Sequence, residues 1–169
     1  AVRITEESGK VSFYRFTQEQ EVLYKNSGNE SFYLKTFAPA GVRIEFKTDS
    51  RSLFMKINVP FATSRSYFCL DVCVNGELIG SIKNFSREEM TGDYTTGKYP
   101  IGSFEKAFDL GEGEKTVTIY LPWSVLLEIE EISIDDGAFV NPVTRNKKML
   151  VFGDSITQGY DAFNPSNHY

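Results

Sequence analysis

The chain has 169 residues, 41% of them hydrophobic and 24% charged. This globular composition suits one domain, or one domain and part of another, with no need of a disulfide or metal to hold a core. A net charge of −5 without any Lys/Arg block argues against nucleic acid and anionic membranes as partners, and no run approaches the roughly 20 apolar residues of a membrane helix.

The aromatic share, with 14 Phe, 9 Tyr and a single Trp, favours a β-rich fold. Residues 1–10 are polar and lack the apolar core of a signal peptide. Alternating apolar positions predict a strand over Val11–Phe16, and Ser31–Lys35 is expected as a short aromatic strand. Gly41–Thr48 alternates cleanly: Val42, Ile44 and Phe46 face one way, Arg43, Glu45 and Lys47 the other, as in a half-buried strand. A turn at Thr48–Arg51 leads to a strand over Ser52–Val59. Asn75-Gly76 between the apolar runs Phe68–Val74 and Glu77–Ile82 is a hairpin signal, because both residues accept positive φ.

Cys69 and Cys73 stand four apart on the first of these strands. Their Cα atoms would then be about 13 Å apart, too far for a disulfide. Buried free thiols are expected instead, which fits a reducing, cytoplasmic setting as well as thiols hidden in a core. With His168 as the one histidine, no metal site is expected.

Lys83–Ser103 reads as a long loop, and strands resume at Gly102–Asp109, Thr116–Leu121 and Glu128–Ile134. No helix of ten residues or more is evident in this region. Many short strands separated by turn signals predict an all-β, jelly-roll-like β-sandwich over residues 1–135, with an open barrel as the alternative. Residues 136–147 are polar, contain Gly and Pro, and read as a linker. Met149–Phe152 is apolar without alternation, the pattern of a strand covered on both faces. A second domain of another class is therefore expected to begin at residue 148.

That segment reads Lys148-Met-Leu-Val-Phe-Gly-Asp-Ser-Ile-Thr-Gln-Gly159. Gly153-Asp154-Ser155-Ile156-Thr157 with Gly159 resembles the first conserved block of the SGNH (GDSL) hydrolase family. The resemblance implies an α/β catalytic domain in which Ser155 is the nucleophile. It also implies an oxyanion site at the turn formed by Gly153, Asp154 and Ser155, with no cofactor. The residues themselves allow a simpler role, Ser155 as the cap of the next helix. The family also uses a Gly and an Asn as oxyanion donors and an Asp-x-x-His as base. None of these can be placed in the 14 residues after Ser155, so residues 148–169 match only the start of such a domain. A serine without a base is a poor nucleophile, and the chain alone is expected to have little esterase activity. His168 is expected to face solvent, and Asp154 to hydrogen-bond around the turn.

More loosely, Gly41–Asp49 and Leu110–Pro122 are similar to the β-sandwich that precedes the SGNH domain in carbohydrate esterases of the acetyl xylan deacetylase kind. That likeness implies an acylated carbohydrate or small ester as substrate. The alternative is a non-catalytic module that binds carbohydrate or protein. Tyr94, Tyr99 and Trp123 are candidate sugar-stacking rings, or else ordinary core. Glu128, Glu130, Glu131, Asp135 and Asp136 form an acidic cluster that fits paired-carboxylate chemistry or a solvated strand edge. The unpaired apolar run Met149–Phe152 leads to an expectation of self-association.

Overall fold

The computed structural model describes residues 1–88, 90, 92–147, 149 and 151–167. The chain opens with β1 (Arg3–Glu7), β2 (Lys10–Tyr14), α1 (Gln18–Asn26) and α2 (Glu30–Lys35). Strands β3 (Arg43–Thr48), β4 (Ser52–Val59), β5 (Cys69–Val74) and β6 (Glu77–Lys83) follow. After a long connection come β7 (Gly102–Asp109), β8 (Lys115–Tyr120), β9 (Glu128–Ile134) and the two-residue β10 (Asn141–Pro142). A single-turn helix α3 (Ser155–Gln158) and a 3₁₀ turn (Pro165–Asn167) lie beyond.

The strands form two antiparallel sheets, ordered β1-β2-β9-β4-β7 and β10-β3-β8-β5-β6. Period-2 patterning explains the core. In β4 the alternate residues Leu53, Met55, Ile57 and Val59 have no exposed surface, while Phe54, Lys56 and Asn58 are part-exposed. One apolar cluster joins these side chains to Leu70 and Val72 of β5 and to Val117 and Ile119 of β8, so both sheets bury their apolar faces in a common core. Asn75 and Gly76 take φ of 50° and 90°, and the β5–β6 hairpin closes on them. Cys69 and Cys73 are free and buried in β5, as their spacing predicts. Lys115 is also buried. Its Nζ donates to the carbonyls of Ser50 and Gly111, both at 2.6 Å, which satisfies the ammonium without a carboxylate.

Three expectations change. Ser31–Lys35 belongs to helix α2, not a strand. Asn29 caps it by accepting from Phe32 N–H, a local bond that outweighs the β preference of Phe32 and Tyr33. Helix α1 was not anticipated. Its Thr17/Gln20 capping box was readable, but α1 buries no residue and so shows no apolar stripe. Met149, Val151 and Phe152 lie outside any strand, with Met149 86% and Phe152 88% exposed. A strand apolar on both faces needs neighbours on both, and none of the described residues provides them.

The segment 136–147 carries β10, which pairs with β3 at the sheet edge. Glu128, Glu130, Glu131 and Asp135 of the acidic cluster are taken up in structural bonds. Lys10 bridges Glu128 and Glu130 at 3.1 and 2.9 Å, and Asp135 accepts from the backbone N–H of Arg51 at 2.6 Å. Glu131 accepts from Ser133.

Candidate active site

The turn at Gly153–Ser155 is built by short-range chemistry. Asp154, not Ser155, is the helix cap: its Oδ1 accepts from Ile156 N–H at 2.9 Å and Thr157 N–H at 3.4 Å. Ser155 therefore occupies the first helical position, and it is exposed. Gly153 is required by space, because a Cβ there would fall 2.1 Å from Thr157 Oγ1 and 2.4 Å from Thr157 Cβ. Gly159 ends the turn with φ of 79°, a left-handed conformation that suits glycine. Among the described residues no side chain accepts a hydrogen bond from Ser155 Oγ, and His168 lies outside them.

Ser155 lines a cavity of about 300 Å³ together with Arg15, Lys35, Ser64, Trp123, Gln158 and Tyr160. Most of these come from loops and the end of α2 in the β-rich part of the molecule, so that part and the turn share one cleft. Arg15 Nη2 donates to the Lys35 carbonyl at 3.2 Å. Burial pushes the Arg15 pKa down from its ordinary value.

The stretch after the turn is fastened to the sheets by residues that sequence reasoning did not single out. Asp71, on β5, has no exposed surface. It accepts from Ser81 Oγ (2.6 Å), Asn164 Nδ2 (3.0 Å), and Ser166 N–H and Oγ (3.0 and 2.7 Å). Burial alone would raise the Asp71 pKa, but these hydrogen bonds outweigh it and hold the carboxyl below its ordinary value. A second clamp uses Asp161, which accepts from Tyr67 Oη at 2.7 Å and from Arg65 Nε at 3.2 Å. Burial, then the bond to Asp161, raises the Tyr67 pKa and keeps the phenol protonated. The signal for Asp71 was present in sequence: a lone carboxylate inside Cys-Leu-Asp-Val-Cys-Val is costly unless it is bonded.

Tyr94, Tyr99 and Trp123 gather around Tyr67 with ring centroids 5.8 Å from it. Trp123 is 6% exposed, lies 4.5 Å from the Tyr160 ring, and donates from Nε1 to the Ala162 carbonyl. Its surface is thus occupied by neighbours from the segment after the turn. No group of His, Cys, Asp and Glu able to hold a metal ion occurs among the described residues.

No family model matches this chain, and no curated protein matches it. Solved structures do. Salicylyl-acyltransferase SsfX3, from a tetracycline biosynthetic pathway, superposes with a TM-score of 0.72 at 25% identity, over 98% of this chain and 45% of its own. A protein assigned as a GDSL-like lipase from Bacteroides ovatus ATCC 8483 superposes with a TM-score of 0.55 at 21% identity, over 90% of this chain and 44% of its own. The chain spans less than half the length of either neighbour. The second likeness speaks for fold alone, and together they support a fold of the GDSL-like hydrolase and acyltransferase kind.

Proposed function

We propose that this chain is the β-rich N-terminal portion of an SGNH-type serine enzyme that acts on acyl esters. Residues 1–135 form a jelly-roll-like sandwich, 136–147 a linker, and 148–169 the start of the catalytic domain. The observation that carries the reading is the exposed Ser155 at the first position of a capped turn, beside a cleft lined by Arg15, Lys35, Ser64 and Trp123 of the β-rich part. The N–H groups of Ile156 and Thr157 are taken by Asp154, so the Ser155 N–H is the backbone donor at this turn that would meet a developing oxyanion.

In this reading Ser155 Oγ attacks the ester carbonyl, and its proton passes to a base. The tetrahedral intermediate collapses to an acyl-enzyme as the alcohol leaves. Water then attacks the acyl carbon, the carboxylic acid departs, and Ser155 regains its proton. The Asp-x-x-His base and the further Gly and Asn donors are what the family resemblance implies for the whole enzyme. The substrate class is an acetyl or other acyl ester, on carbohydrate by resemblance to the acetyl xylan deacetylases. The likeness to SsfX3 favours a second reading of the same chemistry, in which an alcohol rather than water takes the acyl group.

The test is turnover by the protein expressed over its whole reading frame, with acetylated xylan and p-nitrophenyl acetate. Ser155→Ala is expected to lower kcat by at least about 10³-fold. Undiminished turnover would overturn the assignment.

A further inference from the structure

The cleft beside Ser155 has a charge imbalance that the serine chemistry does not explain. Arg15 and Lys35 both line it, and the bond from Arg15 to the Lys35 carbonyl holds them together. Neither forms an ion pair with a described residue, whereas Arg65, Arg145 and Lys10 all do. Arg15 Nε is buried and meets no acceptor among the described residues. The guanidinium also lies over the Phe16 ring, 4.7 Å from its centroid.

Arg15 also lines the adjoining cavity of about 500 Å³. Asp154 is the one carboxylate among the described residues around either space, and its Oδ1 is already engaged by Ile156 and Thr157 N–H. A part-buried guanidinium without a counter-charge is stabilised by an anion that joins it. Burial lowers the Arg15 pKa, in keeping with an environment that lacks a counter-charge.

We propose that this cleft binds a small organic carboxylate, or an ester carrying one, with Arg15 as the principal contact and Lys35 beside it. The flat fork of a guanidinium matches the two oxygens of a carboxylate. Tyr160 adds an aromatic wall, packed on the buried Trp123, which favours an organic acid over a bare inorganic ion. On the ester-enzyme reading above, on which this role rests, the bound carboxylate orients its ester toward Ser155. Arg15 then determines specificity without taking part in bond making.

Binding is measured on the chain of residues 1–169 by NMR titration with benzoate, with its neutral amide benzamide, and with inorganic phosphate. Benzoate is expected to bind at least tenfold more tightly than either and to weaken with added NaCl. Arg15→Gln is expected to weaken benzoate at least tenfold, with Arg15→Lys in between. Equal binding of benzamide, equal binding of phosphate, or an unchanged affinity in Arg15→Gln overturns the proposal. If circular dichroism shows Arg15→Gln to be unfolded, Lys35→Gln decides: threefold or greater weakening supports the site, and no change overturns it. Ser155-dependent turnover is read separately in the full-length protein. Turnover without benzoate binding overturns the carboxylate site alone, and binding without turnover overturns the nucleophile reading alone.

Discussion

Asp71 is a carboxylate with no exposed surface, and it is tolerable there because hydroxyl, amide and backbone donors surround it. Replacing one oxygen by an NH₂ group leaves at least one of those donors facing another donor. Asp71→Asn is therefore expected to cost about 2 kcal/mol. For a chain of this size that lowers Tm by roughly 4–8 °C, readable by thermal circular dichroism. The pH dependence follows from the lowered pKa. A carboxylate depressed in the folded state adds stability above its ordinary value of about 4, and that stability is lost as pH falls through the folded value. The Asp71 clamp thus holds at neutral pH and releases only in acid. In Asp71→Asn this acid step is expected to disappear, and a titration identical to that of the original protein would count against the assignment.

Among the elements, the segment 160–167 is the one whose attachment bears most on the cleft. Trp123 reports on it, because the single indole donates to Ala162 and lies against Tyr160. Its emission is expected to shift to the red below about pH 4, as Asp71 takes up a proton and the segment lifts. Emission that stays constant to the point of global unfolding would show that the segment is held by other bonds. The legibility of the elements follows the same physics. Strands β4 and β7 fall where their patterns and turn residues predict, because each lays alternate apolar residues on a common core. Strand β1 went unread because Arg-Ile-Thr-Glu-Glu carries one apolar residue at a sheet edge. Ser155 was legible as a contiguous motif. Its neighbours Arg15, Lys35 and Ser64 were not, since the fold brings them to the turn and no local spacing encodes that.

At the scale of the whole molecule, acidic charge and exposed apolar surface oppose one another. Met149, Val151, Phe152 and Ile156 lie within eight positions of each other and are all more than half exposed. Such a concentration of apolar surface marks an interaction site or an aggregation hazard. The chain of residues 1–169 is expected to self-associate at high concentration, with Phe152→Glu reducing the association. Sedimentation velocity checks this, and a monomer at all concentrations would refute it.

Lys115 has a consequence for how this molecule meets electrophiles. Its ammonium is enclosed, with its protons directed at two main-chain carbonyls. Acylating reagents need an accessible, neutral amine, so Lys115 stays silent while surface lysines such as Lys47 and Lys98 are consumed. Its labelling rate in a mass-spectrometric footprint then clocks the opening of the sheets themselves, independently of anything that happens at the serine.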